Sequence, residues 1–442
     1  MHVAVANRSL EGLFVETGWT NGDFVRAVER VASELGVPFG YDESAVRHWI
    51  TGTRPRARVR PLIVEALSRR LGRPVTVHEA GFADSPEAVA KSGDTVAALV
   101  DLGSADMDPS RRRILQTGLF SAAAAIPGWP DLADRLERVR ADPHVRIGMT
   151  EVNAVIAMTE YISDMDDRFG GRRTRPMAAA FLVNTIAPHL RASAPDGVRK
   201  AMLSAAADHC YLTGYMAMDE REDGLAQRYY AQALDLAAQA GDHLTFCTTL
   251  RGMSVQAVDL GHSALAVRLA DSAAAASPQA GPRMLAFLTG QQAHAAAQSG
   301  DRATALLKIK QAERAMGQAE SRAKAFGSYD PSSLAYHIGQ VRYELGDVAG
   351  SIESLQEADR LRAPVYRRTR VRYNAMLAER KLRLGRLEEA VTDWHKVLED
   401  YPHVQSGRCD DRVREMVSVL APHRRNHLAG EIYDRGRALL RT

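Results

Sequence analysis

This sequence of 442 residues has little cysteine, little lysine and few aromatic residues. Cys210, Cys247 and Cys409 are odd in number and far apart, with no CxxC or Cys/His spacing. That excludes a disulfide framework or a zinc site and predicts buried thiols in a reducing compartment. The first 20 residues contain Arg8, Glu11 and Glu16 and no continuous apolar core, so no export signal is expected and the protein reads as cytoplasmic. Ser110 to Ile126, SRRRILQTGLFSAAAAI, resembles a twin-arginine signal but lies too far into the chain. Its apolar run is too short for a bilayer, so it reads as an ordinary helix, and no membrane association is expected. A Walker loop, a GxGxxG after a strand, HExxH, a nucleophile elbow and alternating strands are all missing, which argues against an enzyme and against any cofactor. His423 and His427 have the spacing of two ligands on one helical turn, but Pro422 is adjacent and no carboxylate completes a metal site. Asp164, Asp166 and Asp167 lack the glycine and terminal glutamate of a calcium loop and read as a solvated helix end.

Arginine, by contrast, is abundant, making up 50 of the 57 basic residues although the net charge is only +3. Between Arg47 and Arg73, eight of 27 residues are arginine and only Glu65 is acidic, the local charge expected of a phosphate-binding face. Within this region, a helix from about Asp42 to Thr51 places Ala45, Val46, Trp49 and Ile50 on one side and Ser44, Arg47, His48 and Thr51 on the other. Gly52 and Pro55 end it, and Arg54, Arg56, Arg58 and Arg60 follow. An apolar back, a donor-rich front and adjacent cations suit a DNA major groove flanked by phosphate contacts. A surface helix followed by a charged loop is the plainer reading of the same pattern.

Residues 1–83 read as a four-helix domain. Asn7 or Ser9 caps a helix ending near Thr17, and Thr20 or Asn21 caps one running to Leu35 with Phe24, Val25, Val28, Val31, Ala32 and Leu35 as its core stripe. The Asp42 helix follows a Gly36 to Tyr41 connection, and Pro61 to Leu71 forms the fourth. This order, with HWITGTRPR followed by LIVEALSRRLGRPVT, resembles the helix-turn-helix domains of XRE (lambda-repressor-type) regulators, in particular the actinobacterial group with a large helical C-terminal half. The resemblance implies that the third helix reads bases through Ser44, Arg47 and His48. The longer connection before that helix departs from the family.

Residues 84–147 read as a connector of short helices, punctuated at Asp84-Ser85-Pro86, Asp108-Pro109, Pro127 to Pro130 and Asp142-Pro143. From 148 to 442 the chain carries an internal repeat. A turn position followed five residues later by a small residue recurs as Arg221/Ala226, Gly261/Ala266, Gly300/Ala305, Gly346/Ser351 and Gly385/Ala390. Small residues recur seven before the turn (Gly214, Ser254, Ala293, Gly339, Ala378), and small or short ones seven after the second (Ala233, Ala273, Ala312, Ala358, Val397). They let two antiparallel helices approach closely around each turn. Each pair leaves an apolar face for the next, so the prediction is an all-α protein: a helix-turn-helix domain followed by an α-solenoid resembling tetratricopeptide (TPR) repeats. A sixth unit at Ala429/Tyr433/Gly436 and an earlier divergent pair between Thr150 and Leu190 are further expectations. DDRFGG (Asp166 to Gly171) and GYMAMDEREDGLAQRYY extend the family resemblance into this half.

Two functional readings follow. In one, the N-terminal domain binds a double-stranded DNA operator as a homodimer, with Thr51, Thr53, Arg54, Arg56 and Arg58 on phosphates, and the solenoid receives a small-molecule or peptide signal. In the other, the protein is a TPR interaction scaffold with a vestigial helix-turn-helix. Counting back from each turn places Tyr211, Tyr215, Arg251, Phe287, His294, Tyr336, Gln340, Tyr343 and Arg372 on the groove side, five aromatics among nine in a chain that is 6% aromatic. That wall suits an apolar ligand with polar handles or an extended peptide, or else fills a tightly wound superhelix. Arg360 to Arg386 holds ten basic residues against Glu379 alone, read as solvated helix faces or as a counter-charge for an anionic ligand or flanking DNA.

Overall fold

A computed structural model describes residues 6–34, 38–56, 59–71, 75, 79–82, 95–108, 142–276, 281–319 and 329–441. Arg58, Leu35 and the Ser110 to Ile126 stretch lie outside the described residues, as does most of the connector. The described residues fall into two units, one holding the N-terminal helices and the other Thr95–Met107 with everything from residue 142.

Among the described residues, the first unit has four helices: α1 (Arg8–Thr17), α2 (Asn21–Glu34), α3 (Glu43–Ile50) and α4 (Arg60–Leu71). Their starts are fixed by side chains that satisfy orphan N–H groups. Asn7 accepts from Leu10 N at 3.0 Å, and Thr20 and Asp23 cap each other reciprocally at 3.1 and 3.2 Å. Asp42 accepts from Ser44 N and Ala45 N. Gly18 closes α1 with a left-handed φ of 66°. Leu10, Leu13, Phe24, Val28, Val31, Val46, Trp49, Leu62, Ile63 and Leu67 form one buried core. Trp49 anchors α3 in it, with its ring 6.5 Å from Phe24 and 5.3 Å from Tyr41.

The second unit begins with α5 (Thr95–Met107), then α6 (Met149–Phe169) and α7 (Gly171–Phe181), which runs on through a π segment, Leu182–Ile186, into Ala187–Arg191. Although the sequence placed α5 in the connector, it belongs to this unit. Thr95 Oγ1 donates to Asp235 at 2.7 Å, and buried Asp106 accepts from Tyr229 OH at 2.9 Å and pairs with Arg175. A short parallel pair, Asp142–Arg146 with Ala192–Ser193, adds a small two-stranded element to an otherwise helical fold.

Six helix hairpins follow: α8 (Asp196–Asp219) with α9 (Asp223–Ala240), α10 (His243–Asp259) with α11 (Ser263–Ala275), α12 (Pro282–Gln298) with α13 (Arg302–Gly317), α14 (Pro331–Glu344) with α15 (Val348–Leu361), α16 (Arg367–Arg383) with α17 (Leu387–Asp400), and α18 (Gly407–Leu420) with α19 (His427–Leu439). This is a TPR-like helical solenoid. The turn position of each of the first five hairpins takes a positive φ, from 66° at Arg221 to 89° at Gly346, as a tight reversal at a helix C-terminus requires. The small residues that follow, Ala226, Ala266, Ala305, Ser351 and Ala390, are fully buried. Two hydroxyls serve the same contact from opposite sides: Ser254 Oγ donates to Ala266 O, and Ser351 Oγ donates to Gly339 O, both at 2.8 Å. All three cysteines are buried, as expected.

The solenoid's end returns to its beginning. Gln405 N donates to Phe169 O at 2.7 Å, and Arg172 N donates to Gln405 O at 3.2 Å. Gly170 (φ 88°) lets the two strands of backbone meet, because a Cβ there would collide with the Gln405 carbonyl. Arg172 pairs with Asp410 at 2.8 Å and Arg221 with Asp411 at 2.5 Å. Asp166 is consequently no solvated helix end. It is buried, 2.6 Å from Arg368, because α16 packs onto the C-terminal part of α6. Among the described residues, no helix is long and apolar enough to cross a membrane.

Candidate nucleic-acid interface and inner face of the solenoid

On α3, the periodicity of the sequence becomes a division of labour. Val46 and Trp49 are 0% and 3% exposed, whereas Ser44, Arg47, His48 and Thr51 are at the surface. The turn beyond folds back on the end of the helix, with Thr51 N donating to Arg47 O at 2.9 Å and Thr53 N to His48 O at 2.8 Å. Thr53, Arg54 and Arg56 are exposed. Thr53 and Arg54 also line a cleft of about 550 Å³, together with Asn7, Arg8, Ser9 and Gly52. The wider arginine cluster is less uniform than its sequence suggests. Arg60 donates to Pro55 O and Phe82 O, Arg69 pairs with Glu65 at 2.8 Å, and Arg70 donates to Thr17 O while lying 6.0 Å over Trp19. These three make contacts within the domain, and among the described residues of the cluster Arg47, Arg54, Arg56 and Arg70 are exposed.

The nine residues expected on the groove lie on α8, α10, α12, α14 and α16, and they are not an empty wall. Arg251 lies 4.0 Å over the Phe287 ring and 3.5 Å from His337 Nε2. Tyr329 OH is 2.8 Å from His337 Nδ1, and His294 is 6.2 Å from His337, centroid to centroid. Burial pushes His294 down to about 4 and His337 well below the usual range, so both rings are neutral at physiological pH. Arg251 then donates to His337 Nε2, and His337 Nδ1–H donates to Tyr329. Tyr336 stacks on Tyr373 at 5.2 Å. Arg380 donates to Gln340 and to Ser351 Oγ and lies 4.3 Å over Tyr343, whose hydroxyl accepts from Arg383 at 2.9 Å. Tyr211 is buried 5.9 Å from Tyr230, and Tyr215 faces Arg368 at 5.3 Å. Tyr215, Arg251, Tyr336, Gln340, Tyr343 and Arg372 are half-buried, so this face reaches solvent.

Sequence reasoning missed Tyr329, His337, Arg380, Arg408 and Arg412 on this face. Arg408 and Arg412 stand one turn apart on α18, a spacing that is legible, but only the return of α18 brings them to Asp259, 2.7 Å from Arg408. Tyr329 precedes α14 and joins the face through His337. The basic run from Arg360 to Arg386 is solvated only in part, at Arg360, Arg367, Arg383 and Arg386. Arg368, Arg380 and Lys381 are buried, Lys381 against Asp393 at 2.6 Å, because both ends of α16 are covered by neighbours. Among the described residues, no cluster of His, Cys, Asp or Glu is arranged to hold a metal ion.

Residues 10–83 match the family described as the SP15 N-terminal domain. No curated protein matches the sequence. A similar solved structure is that titled "Crystal structure of APC/C hetero-tetramer Cut9-Hcn1", 14% identical, with a TM-score of 0.35, covering 86% of this chain and 63% of that one. The present chain thus spans less than two thirds of the length of that neighbour.

Proposed function

We propose that the chain is a DNA-binding transcriptional regulator of the XRE, lambda-repressor-like type, acting as a cytoplasmic homodimer and receiving a small-molecule or peptide signal on its solenoid. The observation that carries this reading is the exposure of Ser44, Arg47, His48 and Thr51 on a helix whose opposite side is locked into a core by Val46 and Trp49. A helix held rigidly from behind, with a polar front and an arginine-bearing turn beyond it, satisfies what groove reading demands. In this reading Arg47 contacts a base edge with Ser44 and His48 beside it. Thr51, Thr53, Arg54, Arg56 and Arg58 hold phosphates. So few base-reading side chains bind weakly alone, which favours a two-fold dimer on an inverted-repeat operator. Tyr211, Tyr215, Arg251, Phe287, His294, Tyr336, Gln340, Tyr343 and Arg372 form the signal-binding face.

A gel shift on the DNA upstream of the protein's own gene, at two salt concentrations, tests the proposal. Binding that weakens steeply with salt yet outlasts a random competitor duplex is expected. The extent of the helical repeat favours a second reading, an interaction scaffold with a vestigial helix-turn-helix, and absence of any shift at low salt would select it.

A further inference from the structure

We propose that the inner face of the solenoid is a receptor for an anionic ligand, a carboxylate or phosphate carried on a flat aromatic body. The proposal rests on the signal-binding reading of that face and names the ligand's class. Its basis is a surplus of arginine over carboxylate where the hairpins converge. Arg408 is matched by Asp259 at 2.7 Å and Arg412 by Glu379 at 2.9 Å. Arg251, Arg372 and Arg380, in contrast, have no carboxylate within ion-pairing distance among the described residues.

The local contacts describe the surplus further. Arg380 hydrogen-bonds to neutral groups, Gln340 and Ser351, and lies over the Tyr343 ring, while Glu379 and Glu344 interact with it from beyond ion-pairing distance. Arg251 has an imidazole and a phenyl ring, and its Nε is buried with no hydrogen-bond partner. A guanidinium donor removed from water and left unmatched is unfavourable unless something else completes it. Asp259 reports the same field. Burial pushes its carboxyl up, yet Arg408, Arg372, Arg221 and Arg412 together outweigh burial and hold it below the usual range. Arg408 is matched by Asp259 itself, and Arg221 and Arg412 by Asp411 and Glu379, so the charge left over beside Asp259 is that of Arg372.

Aromatic surface lies beside this charge. Phe287 stacks under Arg251, Tyr336 lies against Tyr373, and Tyr336 and Arg251 both flank His337. An anion on a flat apolar body would meet both features at once: its charge the guanidinium donors, its ring the aromatic faces. A neutral ligand would leave the arginines as they are. A second anion-free way to balance them is not offered by the two neutral histidines.

The test is calorimetric titration of the full chain with 2-naphthyl phosphate, 2-naphthoate and uncharged 2-naphthalenemethanol, which share one ring system. The anionic probes are expected to bind at least about tenfold more tightly than the alcohol, a difference of about 1.4 kcal/mol. Comparison of the two anions separates phosphate from carboxylate recognition. Arg251→Gln and Arg380→Gln should each weaken the anions about tenfold and leave the alcohol unchanged, while Arg314→Gln, an exposed arginine on α13, should change nothing. The wild-type comparison stands even if a variant fails to fold. Equal binding of anions and alcohol would overturn the charge inference and leave the signal-binding reading intact. Absence of binding by all three would count against both.

Discussion

Arg368 donates to Asp166 at 2.6 Å across 202 residues of sequence, with both side chains buried. The same guanidinium reaches Asp167 at 2.9 Å and lies 3.7 Å from Asp219. One cation therefore serves three carboxylates contributed by the beginning of the solenoid, and it stands on the helix that returns to meet them. Burial raises Asp166 to about 7, with Arg368 opposing the rise. The arginine is what makes ionised carboxylates tolerable there.

Removing that cation should damage the fold more than its charge count suggests. Arg368→Ala leaves buried carboxylates uncompensated and is expected to destabilise by about 3 to 5 kcal/mol near neutral pH. The loss should shrink toward pH 5, where the orphaned carboxylates take up protons. Urea unfolding at both pH values checks this, and a pH-independent loss would contradict it.

Asp208 provides a cleaner pH signature. Burial pushes its carboxyl up to about 7, with the Thr245 hydroxyl opposing the rise and nearby Asp242 adding to it. The Thr245 hydroxyl lies 2.7 Å from Asp208 and 2.8 Å from Asp242, but it has one proton to give. That single proton is shared between the two carboxylates, so it offsets only part of the cost of ionising Asp208. Because the folded-state value is raised, the stabilisation is present at low pH and is lost as pH rises through about 7. Asp208→Asn should be more stable than the parent above pH 7, by about 1 to 2 kcal/mol after allowance for partial exposure. The advantage should vanish toward pH 4. Melting curves of both proteins across that range decide the matter.

On DNA, two arginines should behave differently. Arg47→Ala is expected to lose about 1 to 3 kcal/mol on the specific site and to relax preference at one position. Arg56→Ala should weaken specific and random duplexes alike and lower the salt slope by about one. Fluorescence anisotropy on both duplexes, over a salt series, separates the roles. Identical behaviour of the two variants would contradict them.

Arg221 occupies, at φ 66°, a turn position that is glycine in the next four hairpins, and its side chain pairs with Asp411. Arg221→Ala and Arg221→Gly both remove the pair, so their difference reports the backbone alone. The alanine variant should be less stable by about 1 kcal/mol, since a Cβ disfavours left-handed backbone. Thermal unfolding of the two variants measures it.

The sequence by itself determined what depends on neighbours along the chain. The caps at Asn7, Thr20 and Asp42, the amphipathic division of α3, and the small residues and turns of the five hairpins are all set within a few turns of helix. Periodicity and capping chemistry therefore carry them. It also set the nine expected groove residues three, six, ten or thirteen positions before a turn, which is the spacing of one side of a helix. Only the tertiary structure decided which partner each charge would meet. Asp166 read as solvated and Arg368 as surface charge, and nothing local contradicts either reading. They are buried together because the solenoid winds back on itself, bringing α16 and α18 to the opening helices. That return results from the summed rotation of every hairpin on the one before, a quantity that no single repeat contains.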